Sequence, residues 1–179
     1  MIISNHLITF LKNKLIQTFI SNSIQSKKME SESFKIYELE KHDTKDIDDK
    51  HINGELSVIW RDWDNHSLES PKMVYVTSVN SNEKKGPHLH TLRNSFFSCI
   101  KGKVIFIIKD KHGSFHEIKM SSNNPQMIFI PKNIASAHIN IENEPAQILA
   151  LTDLSWKPDD NEMKNVKFDN YDWNKWFNS

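Results

Sequence analysis

The hydrophobic pattern of the chain changes character near residue 34. Before that point, apolar residues recur every three or four positions, which is the spacing of one face of an α-helix. They are Ile3, Leu7, Leu11, Leu15 and Phe19, with Ile8, Ile16 and Ile20 beside them. Arginine is absent from this stretch and Asn13-Lys14 interrupt its apolar residues, so neither a transit peptide nor a secretory signal fits well. We predict an appendage over residues 1–33, either an amphipathic helix packed on the domain or on a second subunit, or a loosely ordered extension.

Short apolar runs separated by turn residues follow from residue 34 onward. The turn signals include Asn53-Gly54, Lys101-Gly102 and His112-Gly113. The runs that we predict as strands are 56–60, 73–77, 95–100, 104–108, 115–120, 127–130 and 147–151. No stretch of helical period separates them, and a parallel α/β sheet needs such stretches as crossovers. The pattern therefore predicts an all-β sandwich or barrel.

Charge and cysteine content narrow the classes of function. The chain has 179 residues, with 23 Lys+Arg and 23 Asp+Glu. This balance argues against a general nucleic-acid binder, which needs excess positive charge, and no apolar run is long enough to span a bilayer. The single cysteine, Cys99, has no partner for a disulfide, so we expect a buried thiol and a reducing, cytoplasmic location.

The chemically informative stretch is Gly86-Pro87-His88-Leu89-His90. Side chains alternate along a strand, so His88 and His90 are predicted to project from the same face. A third histidine, His138, lies near the end of another predicted strand. The remaining histidines stand in polar or turn contexts, where a solvated side chain is the usual outcome.

Five pieces of the sequence together resemble the cupin superfamily. Within it they are most similar to the dTDP-4-dehydrorhamnose 3,5-epimerases and their 3,4-ketoisomerase relatives. The pieces are 71–76, 85–90, 97–102, 128–131, and 166–169 followed by Trp176. The resemblance implies an antiparallel jelly roll (double-stranded β-helix) over residues 34–179, and a homodimer. It also implies a nucleotide-linked 4-keto-6-deoxy sugar as substrate, in deoxysugar and polysaccharide biosynthesis.

The resemblance also implies roles for individual residues. His88 falls on the catalytic base, which removes a proton next to the keto group, and Asp169 on the carboxylate that orients that base. Lys85 stands where the epimerases direct an arginine at the diphosphate. We expect His90 to be a second proton shuttle or polariser, and Arg93 to be a further diphosphate contact. No metal or organic cofactor is required, because the keto group itself acidifies the neighbouring proton.

Two departures bear on the type of reaction. The epimerases have a tyrosine acid on a late strand, where this chain has the apolar run 148–151, and an enolate-stabilising lysine where it has Ser98. A ketoisomerase or a one-carbon epimerase, in which a histidine pair moves the proton, therefore fits better. Trp60 is a candidate for stacking a substrate ring, with Arg61 nearby for a phosphate, and the alternative is that Trp60 and Trp63 are core and rim residues of a sheet.

Two alternatives stay open at this stage. In a metal cupin, His88, His90 and His138 would supply nitrogen ligands. The glutamate that such sites place shortly after the second histidine is missing, however, and Ser136 occupies the usual position of the last histidine. A non-catalytic sugar-binding jelly roll is the other alternative. His138 is a candidate substrate-binding residue as part of a cavity wall, or else a polar group at a strand end.

Overall fold

A computed structural model describes residues 30–31, 33–64 and 70–177. Most of the predicted appendage, residues 1–29 and 32, lies outside these ranges, so its helical character stays a prediction. The strands are β1 (Glu30–Ser31), β2 (Phe34–Glu38), β3 (Lys41–Lys45), β4 (Ile52–Ser57), β5 (Met73–Val79), β6 (Glu83–His90), β7 (Ser95–Lys101), β8 (Lys103–Lys109), β9 (Phe115–Ser121), β10 (Gln126–Ile130), β11 (Ala135–Asn140), β12 (Ala146–Thr152) and β13 (Met163–Asn165). A short helix, α1 (Asn174–Phe177), follows.

Two antiparallel sheets form the body of the fold. The first sheet has the strand order β1-β2-β10-β7-β12-β5, and the second has the order β13-β6-β11-β8-β9. Strands β3 and β4 pair only with each other in this arrangement and form a separate, exposed hairpin. The prediction of an antiparallel all-β fold without crossover helices is confirmed.

The core lies between the inward faces of the two sheets. It combines Phe97, Ile128 and Ile148 from the first sheet with Phe106 and Ile108 from the second, all of them buried. These residues alternate with outward-facing neighbours along each strand, as the period of two requires. Burying a side chain of this size contributes roughly 1.5–3 kcal/mol, so this layer is a main source of the stability that holds the sheets together.

The carboxyl-terminal segment covers the outer face of the second sheet. Phe168 and Tyr171 pack against Ile107 and Ile139, which point outward from β8 and β11. The Tyr171 hydroxyl accepts a hydrogen bond from Trp176 Nε1 at 2.8 Å. The aromatic end of the chain therefore serves as a cover over the barrel. None of the helices in the described ranges has the length and apolar character needed to cross a membrane.

Candidate active site

A pocket of about 380 Å³ opens between the two sheets, where inward-facing positions carry polar side chains instead of core residues. From the first sheet, β5 contributes Tyr75 and Thr77. From the second sheet, β6 contributes Lys85, His88 and His90. The predicted histidine pair is thus brought to one pocket, on the same face of one strand.

A bulge in β6 decides which side chains enter the pocket. Ser136 pairs with His88 and His138 pairs with Lys85, so two steps along β11 correspond to three steps along β6. Gly86 occupies this bulge with φ +86°, and a Cβ placed there would lie 2.9 Å from the Ser136 carbonyl oxygen. The extra residue reverses the alternation, so Lys85 faces the same side as His88 although their sequence separation is odd. Strict alternation would have placed Lys85 on the outer face.

The ring of His88 has no hydrogen-bond partner among the described residues. Its ring centroid lies 5.4 Å from that of His90 and 6.4 Å from that of His138. Burial, followed by the repulsion of His90, Arg93 and Lys85, lowers the pKa of His88 to about 4. The imidazole is therefore neutral at physiological pH and has a nitrogen lone pair available to accept a proton.

His90, in contrast, is held at both ring nitrogens. Nδ1 lies 2.8 Å from Oε1 of Glu162, and Nε2 lies 3.1 Å from a terminal nitrogen of Arg93. Because arginine only donates, Nε2 must accept, and Nδ1–H must donate to the carboxylate; these partners assign the tautomer. Burial and Arg93 lower the pKa of His90, and Glu162 opposes that shift.

His138 forms the apolar back of the pocket. It is 5% exposed, and its ring centroid lies 5.1 Å from that of Phe106 and 6.2 Å from that of Phe97. Its Nδ1 is buried without a hydrogen-bond partner. Burial is the main reason that the pKa of His138 falls to about 3, so this ring too is neutral.

Tyr75 is a pocket residue that the sequence reasoning missed. The apolar run 148–151 on β12 does lack a tyrosine, but the neighbouring strand β5 supplies one, since Tyr75 pairs with Ala150. Burial raises the pKa of Tyr75, which keeps its hydroxyl protonated and able to donate. The sequence pattern that could have identified Tyr75 is the alternation along β5, which puts Met73, Tyr75 and Thr77 on the inner face.

Three expected site residues lie elsewhere. Asp169 is exposed and follows Phe168, which packs on the outer face of the second sheet, so the structure does not place it beside His88. Trp60 belongs to an apolar cluster on the outer face of the first sheet. Arg61 binds Asp64 and Glu40 at 2.8 Å each.

In the described residues the carboxylate that contacts a pocket histidine is that of Glu162. Glu162 lies in a polar loop with no distinguishing local motif, so no sequence pattern points to it.

The histidines of the pocket do not form a compact metal-binding group. Within the described ranges, the group of three ligating side chains whose donor atoms all lie within 4.8 Å of one another is Asp46, Asp49 and His51. That group is at the tip of the β3–β4 hairpin, away from the pocket. The nitrogens of His88, His90 and His138 are not so arranged, and Glu162 and Arg93 already occupy both nitrogens of His90.

The sequence model of one protein family, described as FdtA: WxcM-like, C-terminal, matches residues 32–173. The chain belongs to this family. The match includes every strand from β2 to β13 and all the residues that line the pocket. No curated protein matches the chain.

Solved structures share the fold of this FdtA-like chain at low identity. A dTDP sugar isomerase from Desulfovibrio desulfuricans G20 is 16% identical, with a TM-score of 0.65 over 77% of this chain and 86% of that chain. A variant of the 3,4-ketoisomerase QdtA from Thermoanaerobacterium thermosaccharolyticum, in complex with TDP-4-keto-6-deoxyglucose, is 14% identical, with a TM-score of 0.61 over 76% and 90%. NovW, a 4-keto-6-deoxy sugar epimerase from Streptomyces spheroides, is 12% identical, with a TM-score of 0.59 over 75% and 69%. The predicted cupin jelly roll is thereby confirmed.

Proposed function

We propose that the protein is an isomerase of nucleotide-linked 4-keto-6-deoxy sugars, of the 3,4-ketoisomerase type, with His88 as its catalytic base. The observation that carries the proposal is that one pocket holds the His88 imidazole, which no described residue hydrogen-bonds, together with Tyr75. Burial favours the neutral imidazole by lowering the pKa of His88 and the protonated hydroxyl by raising the pKa of Tyr75. Membership of the FdtA-like family and the TDP-4-keto-6-deoxyglucose bound to a protein of the same fold support the substrate class.

The reaction needs two proton transfers on adjacent carbons. His88 takes the proton from C3 of the sugar, the C3–H electron pair forms the C3=C4 double bond, and the carbonyl oxygen at C4 takes a proton from Tyr75. The C3 hydroxyl then returns its proton to the tyrosinate as the C3 carbonyl forms, and the imidazolium of His88 delivers its proton to C4. The carbonyl has moved from C4 to C3, and neither an oxidant nor a reductant is consumed.

The electrostatics of the pocket suit this sequence of steps. A base must start neutral, and burial together with nearby positive charge holds His88 in that form. Lys85 lies at the exposed side of the pocket, where its ammonium donates to the Thr77 hydroxyl. When a diphosphate binds to Lys85, the repulsion that depresses the pKa of His88 is partly cancelled, and the base becomes stronger as substrate arrives.

Epimerisation is the second candidate, and Tyr75 favours it. An epimerase must return a proton to the ring face opposite the base, which requires an acid separate from that base. The sequence suggested His90 as the second proton carrier, on the same strand face as His88, whereas Tyr75 projects from the first sheet and His88 from the second. The two reactions differ in where the carbonyl ends, at C3 for the ketoisomerase and at C4 for the epimerase.

Incubation with dTDP-4-keto-6-deoxyglucose in heavy water, followed by NMR, tests both reactions. The ketoisomerase is recognised by its 3-keto product, which carries deuterium at C4 to the extent that the His88 imidazolium exchanges its proton with solvent, whereas an epimerase retains the 4-ketone and incorporates deuterium at C3 or C5. We expect His88→Asn to slow exchange by about 10²–10⁴-fold while nucleotide-sugar binding persists. His112→Asn, at an exposed turn, is the control. Binding with neither a 3-keto product nor deuterium incorporation above the enzyme-free blank would reject both reactions and favour a sugar-binding module.

The metal-cupin alternative and the homodimer can be measured on the same preparation. Stoichiometric transition metal that is lost on changing His88 or His90 to alanine would favour the metal enzyme over the proposal. The family resemblance further leads us to propose a homodimer of twice 21.0 kDa, and the single cysteine a cytoplasmic location. Light scattering coupled to gel filtration tests this mass, and a species of 21.0 kDa at micromolar concentration would contradict it.

A further inference from the structure

Glu162, His90 and Arg93 form a buried cluster that the proton transfers above do not use. Oε1 of Glu162 lies 2.8 Å from Nδ1 of His90 and 3.2 Å from Nε of Arg93, and the two basic side chains are 3.1 Å apart. Glu162 is 2% exposed and Arg93 is 7% exposed. A buried carboxylate and a buried guanidinium are both costly to desolvate. Their presence beside the pocket is explained if the pair has a function in the reaction.

The loop before β13 is built to deliver this carboxylate. The backbone carbonyl of Glu162 accepts hydrogen bonds from the Thr91 amide at 2.8 Å and from the Thr91 hydroxyl at 3.0 Å. The amide of Glu162 donates to Asp160 at 3.3 Å. Met163, the next residue, pairs with His90 as β13 begins. Backbone contacts on both sides thus fix Glu162 against the end of β6, so the side chain has little freedom to leave His90.

These contacts determine what His90 can do. Its Nδ1–H donates to Glu162 and its Nε2 accepts from Arg93, so neither nitrogen is available to a substrate. A ring engaged in this way does not shuttle protons. It serves instead as a rigid connection between the carboxylate and the guanidinium.

Within this cluster, Arg93 is the member that lies beside the proposed reacting groups. It lines the same pocket as Tyr75 and His88, the two proposed proton carriers. Its charge contributes to lowering the pKa of both groups. The expected lysine of the epimerases is replaced by Ser98, so Arg93 is the buried cation of the described pocket that can stabilise an enolate oxygen.

We propose that Glu162 is a positioning residue, an inference that rests on the proposed isomerase function. It fixes His90 as the Nδ1–H tautomer and, together with that ring, holds the Arg93 guanidinium toward the site where the enolate oxygen forms.

The first test measures the tautomer without any turnover. In ¹⁵N-histidine-labelled protein at neutral pH, the His90 signal, assigned with a His90→Gln variant, should show a protonated Nδ1 and an unprotonated Nε2. Glu162→Met removes both the acceptor of Nδ1–H and the carboxylate that holds Arg93 against Nε2, so this fixed pattern should be lost. Glu162→Gln keeps an acceptor oxygen of the same reach and should restore it. An unchanged His90 pattern in Glu162→Met would overturn the proposal, even if the wild-type protein proved not to be an isomerase.

The second test measures kinetics in the heavy-water assay. We expect Glu162→Met to lower kcat by about 10- to 100-fold while KM changes less than about threefold, and Glu162→Gln to recover part of kcat. Asp160→Asn is the matched control, because it removes one negative charge from the same loop without touching the ring. Equal kcat values in Glu162→Met and Asp160→Asn would overturn the positioning role.

Glu162→Met leaves Arg93 without its carboxylate and could fail to fold. In that case Glu162→Gln carries the test through the titration of His90. Glu162 opposes the lowering of the His90 pKa more strongly than Asp160 does, so the titration midpoint should fall further in Glu162→Gln than in Asp160→Asn. Equal midpoints in the two variants would overturn the proposal.

Discussion

The buried ring of His138 should make the protein sensitive to mild acid. His138 is 5% exposed and neutral when folded, because burial lowers its pKa to about 3. In the unfolded chain the same ring has an ordinary pKa near 6.5. Between these two values the unfolded chain binds the proton and the folded protein does not. Stability is therefore lost as pH falls below about 6.5, and the loss continues down to the folded value.

The size of the effect follows from the two pKa values. When the difference in bound protons is integrated from pH 7 to pH 5, the protonation of His138 in the unfolded chain lowers the free energy of unfolding by about 2 kcal/mol. We expect this pH-dependent loss of unfolding free energy to disappear in His138→Leu, because leucine has a similar size but cannot ionise. Any packing change in the variant is present at both pH values and cancels in the difference.

Urea unfolding followed by tryptophan fluorescence at pH 7 and pH 5 measures the difference. The wild-type protein should lose about 2 kcal/mol more than His138→Leu on acidification, whereas His112→Leu, at an exposed turn, should behave as the wild type. The other pocket histidines titrate in all three proteins and do not affect the comparison. Equal losses in wild type and His138→Leu would refute the account of His138 as a buried neutral ring.

Three further substitutions test the pocket. Tyr75→Phe removes only the proposed acid and should lower kcat in the heavy-water assay by about 10²-fold or more, while affinity for TDP, measured by calorimetry, stays the same. Lys85→Met should weaken TDP binding by about 10-fold, whereas Lys84→Met, on the outer face of the same strand, should not. Gly86→Ala should lower the free energy of unfolding by about 1–3 kcal/mol and impair turnover. Gly113→Ala, at φ +89° with open space around it, carries the backbone cost alone and should lose less; equal losses would contradict the close approach at Gly86.

The parts of the site that sequence reasoning recovered are those that depend on local geometry. The shared face of His88 and His90 follows from a period of two, which any strand imposes on residues two apart. The turn signals and apolar runs likewise specify short antiparallel strands. Each of these inferences needs only the residues within one strand or its turn.

What the sequence did not yield depends on contacts between distant segments. Lys85 enters the pocket because of a bulge that is defined by its pairing with β11. Tyr75 lies opposite Ala150, 75 positions along the chain, and Glu162 reaches His90 across 72 positions. Asp169 was assigned from the resemblance, yet the fold places it outside, because the preceding Phe168 packs on the outer face of the second sheet.

The two pocket cations, Lys85 and Arg93, were both expected from the sequence to contact the diphosphate, but they have different electrostatic environments. Arg93 is buried and its charge is balanced by Glu162, so a further anion there would face that carboxylate. Lys85 is exposed and hydrogen-bonded to the Thr77 hydroxyl, and no carboxylate among the described residues pairs with it. A diphosphate gains most where a positive charge is not already balanced and where solvent reaches the site, which is at Lys85. The buried, balanced guanidinium suits an oxygen that acquires negative charge only during the reaction, because it holds its orientation before the substrate arrives.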